Sequence, residues 1–496
     1  MMRLVPQLVP KWPKLAWLAR FEPGANRITV YHGPMVEVAD EWIVEAVWAG
    51  DFASGDFDKT DLVVGTGIRN RGDRIVFVSS GTAVDRLWHC VHLGQMHISN
   101  SLAALLAVAD LSLADDYEGH VHDIETIDEP AGGLSKYVRQ FRTTGPAINV
   151  LYYNNLVFGD HTLQEVPKPD VAPHFGRFEQ YLAFLEDTAR AMGKNARCQS
   201  RTHPVVPQTT VSSGYDSGAI AVIAKRAGCE QAVTIDNATS FWRGSDSGEE
   251  VARSLGIPCR VYRHTPRAYT DEVAVWAAIG RPRGLNYTIF DFPGPVCLWF
   301  TGNYGDKIWD LSYPSVSEPT GDLSGLCMCE FRLIRGVLHC MPAWWGIRRS
   351  EEIRRISFSE EMAPWTLHNN YDRPIARRIL EESGVPRGTF AVRKKNTSSE
   401  APFWWPYSAE SQASLARYLQ ARGHYAPSPL LVQLIRRAAH LEHLFYMNVT
   451  RKLGLETRVR PWANFAGSKV LFQWANEALK QRYRAGLADA AAGRGD

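Results

Sequence analysis

Short apolar runs alternate with helical spacings in the middle of this chain, between about residue 205 and residue 280. The run 205–211 is rich in valine and threonine and predicts a buried strand. Apolar residues then recur at helical spacing up to Ala227, and Gly228 stands where a helix C-cap belongs. Further strand runs at 232–236 and 259–262 are separated by a second helical pattern. This alternation predicts an α/β fold with a doubly wound parallel sheet.

The first 165 residues follow a different pattern, in which short β-type runs are separated by turn residues. Strands are predicted at 28–31, 62–64, 75–78 and 148–152. A chain of 496 residues exceeds what one core usually holds. We therefore expect three parts: a β-rich domain at 1–170, an α/β domain at 175–480, and a flexible tail at 481–496 that ends in small residues.

Composition narrows the function classes. The chain is 45% hydrophobic and 22% charged, with a formal net charge of +2, so nothing favours a nucleic-acid or membrane-surface partner. No apolar run approaches the roughly 20 residues of a membrane span, and the start of the chain lacks a secretion signal. The 8 cysteines are not densely patterned. We expect a cytoplasmic protein with reduced cysteines.

The turn after the first predicted strand of the α/β part combines small residues, hydroxyls and a carboxylate. It reads Val211-Ser212-Ser213-Gly214-Tyr215-Asp216-Ser217. Backbone N–H groups at a strand–turn–helix junction converge on one point, where the helix dipole favours an anion. Asp216 adds a carboxylate that suits Mg²⁺. The turn therefore predicts a nucleotide phosphate site; an ordinary strand-to-helix turn is the alternative.

The amino-acid sequence of this turn resembles the Ser-Gly-Gly-x-Asp-Ser signature of the PP-loop ATP pyrophosphatases, with Ser213 in place of the first glycine. The resemblance implies cleavage of ATP between its α and β phosphates and adenylation of a substrate. It also implies backbone contacts from Ile235 and Asp236 to adenine.

A second stretch follows the apolar run 297–300 and reads Thr301-Gly302-Asn303-Tyr304-Gly305-Asp306-Lys307. It is similar to the Ser-Gly-Glu-Gly-Ser-Asp-Glu loop of asparagine synthetases and β-lactam synthetase. The resemblance implies that Thr301 and Gly302 contact the nucleotide and that Asp306 joins Asp216 on Mg²⁺. Both aspartates are expected just past the carboxyl ends of parallel strands, where open α/β sheets bind ligands. A plain turn residue is the alternative for Asp306.

Two further catalytic candidates come from the same resemblance. Lys395 follows Arg393-Lys394, after a predicted helix that starts near Pro374, and matches a lysine that stabilises charge on the adenylate; Lys394 is the substitute candidate. A solvated basic run is the alternative. Tyr304 lies one position after a tyrosine that β-lactam synthetase uses, which implies a role in deprotonating the amine. Packing is the alternative for Tyr304.

The N-terminal part resembles class II glutamine amidotransferase domains at Asp85-Arg86 and at 97–106, which implies an Ntn-glutaminase-like fold. The chemistry is absent, because position 2 is Met2, no cysteine precedes Cys90, and the dipeptide Asn-Gly does not occur. We expect a structural remnant without glutaminase activity.

Together these features predict an ATP- and Mg²⁺-dependent ligase that adenylates a small-molecule or peptide carboxylate and joins it to an amine. A homodimer is left open. Asn303 and Lys307 replace two glutamates of the family loop, so we expect a site that favours an anion or neutral amine rather than aspartate. A specialised metabolite or modified peptide is the expected substrate. Two alternatives stay open: a PP-loop enzyme that transfers sulfur or modifies a nucleobase or tRNA, and an inactive binding homologue.

Overall fold

The computed structural model describes residues 2–128, 133–236, 246–263, 269–312, 320–369, 371–391, 403–446, 462 and 464–493. Within these ranges, the N-terminal region up to Val166 contains two β-sheets and three short α-helices. The strands are β1 (Arg3–Leu8), β2 (Trp17–Phe21), β3 (Arg27–His32), β4 (Glu37–Ala39), β5 (Trp42–Trp48), β6 (Val63–Asn70), β7 (Ile75–Val78), β8 (Arg86–His92), β9 (Gln95–Ser99), β10 (Gln140–Phe141), β11 (Ile148–Tyr152), β12 (Asn155–Gly159) and β13 (Thr162–Val166). The helices are α1 (Leu102–Val108), α2 (His120–Glu125) and α3 (Gly133–Lys136).

These strands form a seven-stranded sheet of order β1-β3-β2-β9-β8-β11-β10 and a six-stranded sheet of order β13-β12-β7-β6-β5-β4. The two sheets share an apolar core, in which Trp17 and Val30 of the first meet Ile43 and Phe77 of the second. In β3 the buried residues alternate with more exposed ones, as a half-buried strand requires. The prediction of a β-rich N-terminal region is confirmed.

The remainder of the chain is mixed α/β around a five-stranded parallel sheet. Its strands are β14 (Val205–Thr210), β15 (Ala232–Asp236), β16 (Cys259–Arg263), β17 (Val296–Phe300) and β18 (Val337–Cys340). Their order is β16-β15-β14-β17-β18, and every neighbouring pair is parallel. The chain moves outward from β14 in one direction and then returns to add β17 on the other side. The sheet therefore reverses its winding between β14 and β17, and this is the switch point at which such sheets bind ligands.

Twelve further helices are described in this remainder. They are α4 (Phe178–Ala196), α5 (Tyr215–Arg226), α6 (Glu249–Ser254), α7 (Glu272–Ile279), α8 (Gly305–Ile308), α9 (Leu323–Leu326), α10 (Cys329–Arg335), α11 (Ser350–Ser357), α12 (Pro374–Glu382), α13 (Ala409–Ala421), α14 (Pro429–Phe445) and α15 (Ser468–Ala491). Gly228 follows the end of α5 with φ of +77°, the left-handed conformation expected after a helix C-cap.

The last helix corrects the predicted tail. Helix α15 continues through Ala491, and it packs against α7 and α1. Tyr483 is buried, and its carbonyl oxygen accepts a 3.0 Å hydrogen bond from Trp12 Nε1. The prediction of a flexible tail from residue 481 is therefore wrong up to Ala491, because this segment has an apolar face that the N-terminal region covers.

Buried charges also join the N-terminal region to the parallel-sheet region. Arg332 on α10 donates from Nε to Asp85 (2.6 Å), and its two terminal nitrogens donate to the two carboxylate oxygens of Glu45 (2.8 and 3.1 Å). The neighbouring Glu330 accepts hydrogen bonds from Ser101 Oγ and the Leu102 backbone. One continuous apolar cluster runs across the same boundary. The two regions are thus packed as one body through both apolar and ionic contacts.

All 8 cysteines lie in the described ranges and are unpaired. Within those same ranges, none of the helices combines the length and the apolar character that crossing a bilayer requires.

Candidate functional site

A cavity lies at the carboxyl ends of β14, β15 and β17, beside the reversal of the sheet. The two loops singled out from the sequence meet there, together with the segments around 283–290, 322–324 and 371–373. Eight of the predicted site residues line it: Val211, Ser212, Gly214, Asp216, Ser217, Ile235, Gly302 and Asp306. The prediction that loops about 90 residues apart in sequence converge is thus matched by the geometry.

The first loop is held by its own hydroxyl groups. Ser217 Oγ accepts a 3.0 Å hydrogen bond from the Ser212 backbone N–H and lies 2.7 Å from Ser212 Oγ. Helix α5 starts directly afterwards, with Gly214 at its N-cap, and no side chain of the described residues caps it. The N–H groups of its first turn have no partner within the helix and face an anion-binding position. This geometry suits a phosphate group.

Ser213 lies in this loop but outside the cavity lining. Its backbone N–H donates to the Asp246 carbonyl oxygen (3.1 Å) and its hydroxyl donates to Asp246 Oδ1 (2.7 Å). The side chain is therefore directed away from the phosphate position. Ser213 therefore adds no bulk to the cavity.

The second loop packs against the first through two glycines. A Cβ at Gly302 would lie 2.6 Å from the Ser217 backbone nitrogen, and a Cβ at Gly305 would lie 2.6 Å from Asp216 Oδ1. Neither approach leaves room for a side chain. Because the backbones touch here, Asp306 is brought to the same cavity wall as Asp216.

Arg373 is a cavity residue that the sequence analysis missed. One of its terminal nitrogens pairs with Asp216 Oδ2, and its Nε and other terminal nitrogen donate to Asp310 Oδ2 (3.2 and 3.1 Å). Its side chain is 2% exposed, and burial lowers the pKa of Arg373 to about 10, so it remains protonated at neutral pH. This cation fixes one oxygen of Asp216. The other oxygen, Oδ1, is buried and has no hydrogen-bond partner in the described chain.

The donor set around Asp216 fits a magnesium ion. A buried carboxylate oxygen without a partner, with a second carboxylate (Asp306) in the same cavity, offers the hard oxygen ligands that Mg²⁺ prefers. Among the described residues no group of three or more His, Cys, Asp or Glu side chains could enclose a metal. The protein would therefore supply few ligands, and substrate phosphates and water would supply the others, as is usual for Mg²⁺.

Tyr304 does not reach the cavity. It adopts a left-handed φ of +68°, is 1% exposed, and packs its ring 4.5 Å from the ring of Trp344. Burial raises its pKa well above the usual value. This placement removes the basis for a role in deprotonating an amine, and the packing alternative describes Tyr304 better.

Thr301 and Asp236 also lie outside the cavity lining. The Thr301 hydroxyl lies 2.7 Å from His339 Nε2 beneath the loop, and burial lowers the pKa of His339 to about 4. Asp236 ends β15.

Lys394 and Lys395 fall outside the described residues, so their roles stay predictions.

Lys307 corrects the expected charge of the site. It does not line the cavity, and its ammonium group pairs with Asp128 of the N-terminal region and also donates to the Gly321 carbonyl oxygen. Asn303 does line the cavity and donates from Nδ2 to Asp322 Oδ1 (2.9 Å). The positive charge of Lys307, which was expected to attract an anion, is therefore neutralised by Asp128 outside the cavity. The group next to Asn303 is the carboxylate of Asp322.

Besides Arg373, the cavity is lined by a second group of residues that were not predicted from the sequence. They are Arg283, Tyr287, Phe290, Asp322, Ser324 and Tyr371. They come from loops and short helices without periodicity, and only the Arg373-Pro374 step at a helix start was a usable signal.

No model of a known protein family matches this chain, and no curated protein matches it.

Proposed function

We propose that this protein is an ATP-dependent ligase that adenylates a carboxylate and joins it to an amine, releasing AMP and pyrophosphate. The observation that carries the proposal is the convergence of the 211–217 and 301–306 loops at the switch point of the parallel sheet. The sequences of these loops resemble those of asparagine synthetase and β-lactam synthetase. Their geometry places the N-terminus of α5, which suits a phosphate group, in the same cavity as two carboxylates.

In this proposal the phosphates of ATP lie at the N-terminus of α5, between Ser212, Gly214 and Ser217. The adenine lies over the end of β15, near Ile235. Mg²⁺, held by Asp216 and Asp306, would neutralise phosphate charge during attack on the α-phosphate. Arg373 keeps Asp216 in one orientation through its ion pair. Lys395, or Lys394 in its place, is the proposed cation for the adenylate.

The parallel sheet, with its reversal between β14 and β17, would be a doubly wound PP-loop synthetase domain, and the two-sheet N-terminal region would be an Ntn-glutaminase-like domain without the nucleophile. A cytoplasmic location with reduced thiols also remains a proposal.

Exchange of labelled pyrophosphate into ATP tests this function. The full-length protein with Mg²⁺ and a panel of amino-acid and short-chain carboxylates should catalyse carboxylate-dependent exchange. Asp216→Asn and Asp306→Asn should each reduce it by at least about 100-fold, which corresponds to about 2.7 kcal/mol of transition-state stabilisation. Asp187→Asn, at an exposed position on α4, is the matched control and should leave exchange unchanged.

Two results would contradict the proposal. Exchange that persists in both aspartate variants would remove these residues from the mechanism. Failure of a nucleotide titration with folded wild-type protein would favour the inactive homologue, whereas ATP turnover that requires tRNA would favour a nucleobase-modifying enzyme.

A further inference from the structure

Two opposite charges face the cavity beside the phosphate loop, and the proposed ATP and Mg²⁺ sites use neither of them. They are Arg283, in the loop after α7, and Asp322, at the start of α9. The segments that carry them are packed together: a Cβ at Gly284 would lie 3.3 Å from the Ser324 carbonyl oxygen. Arg283 and Asp322 therefore belong to adjoining walls of one cavity.

Asp322 is held in a fixed orientation with one oxygen available. Its Oδ1 accepts hydrogen bonds from the Gly325 backbone N–H (2.8 Å) and from Asn303 Nδ2 (2.9 Å). Its Oδ2 has no partner among the described residues. A carboxylate oxygen that is positioned in this way and open to a cavity is a strong acceptor for an ammonium group.

Arg283 lacks the partner that a half-buried arginine usually has. It forms no ion pair with a described residue, and its Nε is buried without an acceptor. Asp128, the acidic group whose pKa Arg283 influences, is already paired with Lys307. A guanidinium in this position fits a carboxylate supplied by a ligand, because its planar donors match the two carboxylate oxygens.

We infer that this end of the cavity binds a zwitterionic amino acid and that this amino acid is the amine substrate of the ligase. Asp322 Oδ2 binds the ammonium group and Arg283 binds the carboxylate. Tyr287 and Phe290 line the same cavity and offer apolar surface for the side chain. The identification as the amine substrate rests on the proposed function; the binding of a zwitterion does not.

The ammonium group must lose two protons to form the amide, and Asp322 and the solvent accept them. The ammonium transfers one proton to Asp322 and becomes a neutral amine. Its nitrogen forms a bond to the acyl carbon while the bond from that carbon to the AMP oxygen breaks, and AMP leaves with the electron pair. The second proton passes to solvent. Asp322 thus takes the role for which Tyr304 is unsuited.

Three ligands that share a propyl chain test the inference on the full-length protein. They are 2-aminobutyrate, which carries both charges, propylammonium, which carries only the ammonium group, and butyrate, which carries only the carboxylate. Binding is measured by saturation-transfer NMR titration. We expect 2-aminobutyrate to bind at least about tenfold more tightly than either of the others, a difference of about 1.4 kcal/mol.

Two variants separate the two charges. Asp322→Asn keeps an oxygen for Gly325 and Asn303 and should weaken 2-aminobutyrate and propylammonium at least about tenfold without affecting butyrate. Arg283→Gln should weaken 2-aminobutyrate and butyrate and spare propylammonium. Equal binding of the three ligands, or unchanged 2-aminobutyrate binding in Asp322→Asn, overturns the inference.

The proposed function can fail separately from this inference. If the two variants lose the expected ligands but the wild type catalyses no pyrophosphate exchange, the zwitterion site stands and the ligase proposal is lost. If the wild type catalyses exchange but the variants do not lose the expected ligands, the ligase stands and its amine binds elsewhere.

Discussion

Replacing Arg332 with methionine tests whether the N-terminal region is structurally required by the rest of the chain. Arg332, Glu45 and Asp85 have side chains that are at most 2% exposed. The substitution removes three charge-assisted hydrogen bonds and leaves two carboxylates buried without their cation. Methionine keeps most of the side-chain volume, so the loss is mainly electrostatic. Breaking a buried ion pair from one side costs about 3–5 kcal/mol, and we expect a destabilisation in this range.

The measurement is urea unfolding of the full-length protein, followed by tryptophan fluorescence and by far-UV circular dichroism. The two probes should report the same lowered midpoint if the regions unfold together. The triple variant with Glu45→Gln and Asp85→Asn carries no buried charge at this position and should recover a large part of the lost stability. This recovery separates an electrostatic cost from a packing cost, because packing is the same in both variants.

A destabilisation below about 1 kcal/mol would refute this reasoning, since exposed ion pairs give values of that size. A full loss without recovery in the triple variant would contradict it as well, and would assign the effect to packing. With the expected result, the N-terminal region is a structural partner of α10, and a chain that starts at residue 175 should not fold.

Three other outcomes are expected. Gly305→Ala places a Cβ against Asp216 and should abolish pyrophosphate exchange, whereas Gly388→Ala, at an open position, should not; equal activity of the two variants would refute the close packing. Lys168 is buried, and burial lowers its pKa to about 7 from 10.5, so the unfolded chain binds more protons than the folded chain between pH 7 and 10.5. In thermal melts, Lys168→Met should therefore be more stable than the wild type at pH 6. This advantage should shrink as the pH rises to 10. An advantage independent of pH would contradict the buried charge. With any carboxylate that supports exchange, Asp322→Asn should retain exchange and lose amide formation with an amino acid, while hydroxylamine, which is neutral at pH 7.5, should still be acylated; equal loss with both nucleophiles would exclude proton transfer to Asp322.

Four of the five strands of the parallel sheet, β14 to β17, were predictable because each is specified by local sequence, whereas β18 was not predicted. The valine- and threonine-rich run became β14, and the glycine after the next helix adopts the left-handed conformation that its position required. In the N-terminal region, β3, β6, β7 and β11 were predictable for the same reason. Their arrangement was not, because the parallel pairing of β1 with β3 depends on contacts between segments and leaves no periodicity in either strand.

The cavity was predictable only where its residues lie in a recognisable loop. Asp216 and Asp306 belong to such loops, whereas Arg283, Asp322 and Arg373 come from three segments that meet only in the folded chain. The tail was different, because its signal was present in the sequence. Leu471, Leu479 and Tyr483 recur at helical spacing and are buried, whereas the small residues that follow them are typical of a frayed end.

Two differences between this chain and the loop signatures that it resembles have a common explanation in the geometry. Those signatures have glycine where this chain has Ser213, and serine where this chain has Gly305. Ser213 turns its hydroxyl out to Asp246, so the phosphate position keeps its space. Gly305 lies so close to Asp216 that a side chain would displace the carboxylate. Both residues therefore preserve the approach of the two loops. Asp216 Oδ1 is left buried without a hydrogen-bond partner in the described chain, and a buried polar atom of this kind needs a physical explanation, which the proposed metal ion supplies.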